Sequence, residues 1–82
     1  MSRRRKLDVA IEGSWGLYSC TPLTRAAQTF VKAKVDIGDW QDPERFHIEG
    51  GDRCRALVAG MVAEGLRVEV NGQDMKGFKY GA

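Results

Sequence analysis

The sequence has few of the residues that most often carry chemistry. It contains one histidine, two cysteines and two prolines among 82 residues. Cys20 and Cys54 belong to no metal-ligand or redox spacing, and no glycine-rich phosphate-binding loop is present. These absences argue against a metal site, a redox motif and a nucleotide site. We expect the two thiols to be small, free and buried or half-buried, because an unpaired cysteine packs like a small hydrophobic residue.

Long apolar runs are also missing. No stretch approaches the roughly 20 apolar residues that a membrane-spanning helix needs. The segment after the basic N-terminus alternates apolar and charged residues, which is not the pattern of a signal peptide. Hydrophobic residues make up 43% of the chain and charged residues 29%, a balance typical of a soluble globular domain. We therefore expect a cytoplasmic protein that contacts no membrane.

Basic charge is concentrated at the start of the chain. Four of the 13 basic residues are Arg3, Arg4, Arg5 and Lys6. Residues 7–82 hold nine basic and 11 acidic residues, so the body is mildly acidic. The basic arm has the charge to bind phosphates, and Arg25 and Lys32 would extend it along a helix. No base-stacking motif or helix-turn-helix pattern accompanies these charges.

The first half of the domain predicts a hairpin followed by a helix. Leu7, Val9 and Ile11 alternate with polar or small residues, which indicates a half-buried strand. Glycines in residues 13–16 mark a turn, and residues 15–20 read as the second strand. Thr21 is then expected to cap a helix that has Pro22 at its first position and runs to about residue 34.

The second half predicts a strand, a helix and another strand. Residues 45–49 alternate in the manner of a short strand, and Asp52 is expected to cap the helix after it. Apolar residues of that helix recur at i, i+3 and i+4, and Gly65 stands where a helix ends in a left-handed residue. Residues 66–70 alternate as a fourth strand before the Asn71–Gly72 turn signal.

These elements predict an α+β domain. The expected order is β-β-α-β-α-β, with a four-stranded sheet and two helices packed on one face. Residues 7–72 form this single domain, residues 1–6 form the basic N-terminal arm, and residues 73–82 form a C-terminal tail or a weak edge strand.

Candidate binding residues lie on the face of the sheet that the helices leave open. His47 alternates with Phe46 and Ile48, which places it on that face, and we expect Tyr18 beside it. Trp15 flanks the hairpin turn. Trp40 lies in an acidic loop that lacks calcium-ligand spacing, and if exposed it would suit a protein-binding hot spot. No nucleophile accompanies His47, so catalysis there is the third hypothesis.

Residues 13–27 resemble a group of short bacterial and phage-type proteins to which no activity is assigned. In that group a Gly-Ser…Leu-Tyr hairpin runs into Thr-Pro-Leu-Thr and a helix. A polar loop with Trp, a short strand, a second helix and a Gly-Leu-x-Val strand follow, and Trp40 and residues 65–68 fit that order. The resemblance extends in pattern over residues 7–70. It implies an α+β fold and a bacterial, phage or mobile-element origin, and it implies no activity.

The sequence thus favours a small non-enzymatic protein-interaction module. It would act by binding a protein partner or by forming a homodimer, without a metal or a cofactor. Its predicted contact residues are Trp15, Tyr18, His47 and Trp40. The alternative hypothesis is a nucleic-acid-binding accessory protein that uses Arg3, Arg4, Arg5, Lys6, Arg25 and Lys32.

Overall fold

A computed structural model describes residues 6–35 and 44–79 of the chain. The described residues form an α+β domain with two helices and a mixed sheet. The strands are β1 (Val9–Ser14), β2 (Leu17–Pro22), β3 (Phe46–Glu49), β4 (Val68–Val70) and β5 (Gln73–Asp74). The helices are α1 (Arg25–Lys34), between β2 and β3, and α2 (Gly51–Ala63), between β3 and β4.

The sheet has five strands in the order β3-β2-β1-β4-β5. The pairs β1–β2, β2–β3 and β4–β5 are antiparallel, and β1–β4 is parallel. The prediction of four strands is therefore wrong by one. The additional strand, β5, follows a tight turn at Asn71 and Gly72, whose φ angles of 50° and 83° suit a two-residue hairpin loop.

One face of the sheet is buried under the two helices. Ile11 of β1 lies opposite Cys20 of β2, which lies opposite Phe46 of β3, and all three are almost fully buried. Both helices supply side chains to the same core cluster, which contains Val9, Ile11, Cys20, Ala27, Val31, Phe46, Ile48, Cys54, Val58, Met61 and Val68. A Cβ at Gly60 of α2 would lie 3.7 Å from the Cζ of Phe30 of α1, so the Phe30 side chain reaches across to α2 there.

Helix α1 begins later than the sequence suggests. Its N-cap is Thr24, whose Oγ1 accepts a hydrogen bond from the Ala27 N–H at 3.2 Å. Thr21 and Pro22 belong to β2, and the buried Pro22 lies opposite Val9. The prediction of Thr21 as the cap is therefore wrong. Pairing between β1 and β2 keeps this segment extended, and it continues to a hydrogen bond from the Leu23 N–H to the Asp8 carbonyl oxygen.

Helix α2 also begins without its predicted cap. Gly50, with a φ of 96°, holds the N-cap position and makes no side-chain hydrogen bond, whereas Asp52 lies in the first turn. A negative charge there still interacts favourably with the positive end of the helix dipole. At the other end, Gly65 adopts a φ of 87°, which confirms its predicted left-handed conformation.

Asp8 connects three separate parts of the fold. One carboxylate oxygen accepts a hydrogen bond from the Thr24 hydroxyl at 2.6 Å, and the other accepts the backbone N–H of Arg67 at 2.8 Å. The start of β1, the cap of α1 and the approach to β4 are thereby held together. This arrangement fixes the end of the sheet that lies away from the β1–β2 turn.

Candidate functional site

The β1–β2 turn carries the most exposed large hydrophobic side chain among the described residues. Ser14 pairs with Leu17, so Trp15 and Gly16 form a two-residue hairpin loop. Their φ angles are 58° and 82°, the positive pair that defines a type I′ turn. Glycine, asparagine and aspartate favour this conformation, and a bulky residue rarely adopts it. The Trp15 side chain is nevertheless fully exposed to solvent.

A second exposed hydrophobic side chain follows this turn directly. Leu17 is 52% exposed and faces away from the helices. Side chains alternate along a strand, and the next residue, Tyr18, lies on the helix-covered face together with Cys20. It lies opposite Glu49 of β3. Trp15 and Leu17 together form an apolar surface at the end of the hairpin, which we call the hairpin tip.

The open face next to the hairpin tip is mainly polar. Glu12, Ser19 and His47 lie in one row across β1, β2 and β3. His47 is exposed, with Phe46 and Ile48 buried on the other face, as the alternation of β3 predicts. Arg45, at the start of this strand, donates a hydrogen bond from Nε to the Ser19 hydroxyl at 3.3 Å.

Tyr18 does not lie beside His47. It pairs with Gly13 and Ile48 and shares the helix-covered face, where it packs against the core. There it lines a cavity of about 150 Å³ together with Cys54, Val58, Met75 and Phe78. The prediction that Tyr18 lies on the open face is therefore wrong, and Leu17 occupies that position. The parity that Tyr18 shares with Cys20 was the available signal in the sequence.

Only some of the other predicted binding residues belong to the part of the chain that the structure describes. Trp40, Arg3, Arg4 and Arg5 lie outside the described residues. Lys6 is exposed ahead of β1, and Arg25 and Lys32 are exposed on α1. The described residues therefore do not test the nucleic-acid hypothesis, which stays a prediction.

Neither cysteine has the properties of a nucleophile. Cys20 and Cys54 are free and buried. Burial, and to a smaller extent the charge of Cys54, raise the pKa of the Cys20 thiol to about 12. Burial also raises the pKa of Cys54, with Arg55 lowering it in part. Both thiols are therefore protonated at neutral pH, and a neutral thiol is a poor nucleophile and a poor metal ligand.

Metal-binding geometry is also absent from the part of the chain that the structure describes. No group of three or more histidine, cysteine, aspartate or glutamate side chains there has an arrangement suited to a metal ion. Neither described helix is long and apolar enough to cross a membrane. Among the described residues, the exposure of Trp15 and Leu17 at the hairpin tip is thus the feature that folding explains least.

Comparison with known proteins found no match to this chain among protein-family models, curated proteins or solved structures.

Proposed function

We propose that this protein is a small interaction module that binds a partner protein through the hairpin tip formed by Trp15 and Leu17. One observation carries the proposal: Trp15 is fully exposed in a left-handed backbone conformation. Folding gains nothing from burying this side chain, and the backbone geometry disfavours it. Residues held in such sparsely populated conformations cluster at functional sites.

The chemistry of the hairpin tip suits a protein partner. Tryptophan is the residue most enriched at the energetic centres of protein interfaces, because it buries a large apolar area with few rotatable bonds. The neighbouring Leu17 enlarges the apolar surface, and Glu49 opposite it supplies a polar rim. A hydrophobic centre with a polar border is the usual composition of a protein-binding surface.

The module would act without catalysis. Its two thiols are protonated and buried, and His47 has the exposed strand residues Arg45 and Glu49 as its neighbours along β3. This environment supplies charge and hydrogen bonds to a partner. A role in partner binding therefore accounts for the exposed residues of β3 as well as for the hairpin tip.

The test compares two substitutions that each remove an exposed apolar side chain from the surface. Trp15→Asn replaces the tip residue with one that favours the type I′ turn. Leu23→Asn is the matched control, because Leu23 is 48% exposed at the opposite end of β2. We expect a partner that wild type and Leu23→Asn both retain, and that purified Trp15→Asn fails to bind. Equal binding of that partner by all three proteins would contradict the proposal.

A further inference from the structure

Two carboxylates flank the apolar surface of the hairpin tip. Leu17 lies directly opposite Glu49 of β3, so these two side chains are cross-strand neighbours. Glu12 of β1 lies opposite Ser19, which makes it the diagonal neighbour of Leu17 on the other side. Leu17 and both glutamates are exposed on the open face of the sheet. Leu17 therefore has one carboxylate on each side.

Neither of these carboxylates has a role in the fold. Among the residues that the structure describes, Glu12 and Glu49 form no ion pair and no side-chain hydrogen bond. Arg45, a cation on the same face, donates its hydrogen bond to Ser19 and pairs with neither glutamate. The negative charge beside the hairpin tip is therefore available to another molecule.

A positive charge near the tip belongs to the other side of the sheet. Arg53 lies in the first turn of α2, and its Cγ is 4.0 Å from the position that a Cβ at Gly50 would take. The Gly50 N–H in turn donates to the carbonyl oxygen of Gly16 in the β1–β2 turn. Helix α2 packs on the face opposite to the two glutamates, and Arg53 forms no ion pair with either of them. The open face beside the hairpin tip therefore stays acidic.

The size of the apolar surface suits a short segment of a partner. A tryptophan side chain buries about 150–250 Å², and Leu17 is already half covered by its own fold. A stable interface between two folded proteins buries about 800 Å² on each partner. The hairpin tip offers much less than this area, so a peptide segment that folds around Trp15 matches it better than a large rigid surface does.

We infer that the hairpin tip binds a basic peptide segment of the partner, in which arginine or lysine stands beside apolar residues. The cationic groups of that segment complement Glu12 and Glu49, and tryptophan is the side chain whose ring face binds cations best. The apolar stems of arginine and lysine pack against Leu17 while their charged ends reach the carboxylates. The inference rests on the proposed function, because it names the chemistry of the partner at the same surface.

Two labelled peptides of equal length test the inference by fluorescence anisotropy, one with alternating arginine and leucine and one with glutamate in place of arginine. We expect wild type to bind the arginine peptide roughly tenfold more tightly than the glutamate peptide. The double variant Glu12→Lys with Glu49→Lys should reverse this preference, because it reverses the charge on both sides of Leu17. Glu64→Lys is the control, since it changes an exposed glutamate at the other end of α2 and should keep the preference of wild type. Trp15→Asn should bind the arginine peptide roughly tenfold more weakly than wild type.

Three results would overturn the inference: wild type that binds neither peptide, wild type that binds both equally, and a double variant that still prefers the arginine peptide. The proposed function has a separate test, which asks whether Trp15→Asn loses a partner that Leu23→Asn keeps. If Trp15→Asn loses that partner while the double lysine variant keeps it, the hairpin tip binds protein but not through basic groups, and only the inference fails. If Trp15→Asn keeps both that partner and the full affinity of wild type for the arginine peptide, the proposed function and the inference both fail.

Discussion

Trp15 and Asn71 occupy the same position in two turns of the same type, with φ angles of 58° and 50°. Each is followed by a glycine with a φ above 80°. Asn71 serves the fold: its side chain accepts a hydrogen bond from the Gly13 N–H and donates one to the Gly13 carbonyl oxygen, each at 3.0 Å. Trp15 is fully exposed. The contrast identifies Trp15 as the turn residue whose identity folding does not explain.

Replacing Trp15 with asparagine should therefore stabilise the protein. Asparagine tolerates the left-handed conformation that tryptophan adopts at a cost. We expect Trp15→Asn to raise the free energy of unfolding by about 0.5–1 kcal/mol, measured by urea denaturation. A decrease in stability would mean that Trp15 makes a contact that supports the fold.

The hydrogen bonds of Asn71 should contribute measurably to the stability of the protein. Asn71→Ala removes both bonds to Gly13 and puts a less tolerant residue at positive φ, so we expect a loss of about 1–3 kcal/mol. Asn71→Gly removes the same bonds but accepts the backbone conformation, and should cost less. Equal losses in the two variants, measured by denaturation, would assign the whole effect to the hydrogen bonds and none to the backbone.

Gly13 should not tolerate a side chain. Its φ is 151°, and a Cβ there would lie 2.2 Å from the carbonyl oxygen of Leu17 and 2.7 Å from the Cα of Tyr18. We expect Gly13→Ala to cost more than about 2 kcal/mol in thermal or chemical unfolding. Gly16→Ala is the control, because a Cβ at Gly16 meets open space at a φ of 82° and should cost about 1 kcal/mol. A Gly13→Ala protein as stable as Gly16→Ala would contradict the β1–β2 register described above.

The cap of α1 gives a test that separates two threonines. Thr24→Ala removes the hydrogen bond from Ala27 and the bond to Asp8, and should lower stability by about 1–2 kcal/mol. Thr21→Ala changes a strand residue that caps nothing, and should cost less. If Thr21→Ala lowered stability more than Thr24→Ala in denaturation experiments, the cap would be Thr21, as the sequence alone suggests.

Because the Cys20 thiol is buried, we expect the protein to lose stability at high pH. Its pKa is raised from an ordinary value near 9 to about 12 in the folded protein, so the folded state keeps a proton that the unfolded state releases. Stability should then fall as pH rises above about 9, with a slope approaching about 1.4 kcal/mol per pH unit from this group. Cys20→Ala removes this contribution, so its stability should fall less steeply with pH than that of wild type. Parallel curves would show that the thiol is accessible to solvent.

Local patterns predicted much of the architecture. The periodicity of α2 and the left-handed Gly65 at its end are confirmed, because both are fixed by residues close together in the chain. The Asn71–Gly72 turn is confirmed for the same reason. The fifth strand corresponds to the edge strand that the sequence leaves open as one alternative for residues 73–82, since a two-residue strand has too little pattern to predict firmly and exists only through pairing with β4.

The errors occur where pairing between strands overrides a local preference. Thr21 and Pro22 have the chemistry of a helix start, but pairing with β1 keeps them extended. Gly13 has the chemistry of a turn residue, but it lies within β1 and Trp15 occupies the turn. Because the turn is not where the glycines suggest, the sequence does not reliably indicate which face of the sheet each neighbouring residue occupies. The prediction that Tyr18 lies on the open face is wrong for this reason. Trp15 is among the predicted contact residues, but its position inside the turn is not predictable, because no local preference puts tryptophan at positive φ.

The most direct test of the role of the hairpin tip is site-specific photo-crosslinking. A photoreactive aromatic amino acid is introduced at position 15 in one protein and at position 23 in another. Both positions are exposed, and they lie at opposite ends of β2. The account predicts one dominant crosslinked partner from position 15 that is absent from position 23. The same crosslinked proteins in equal yield from both positions would contradict it.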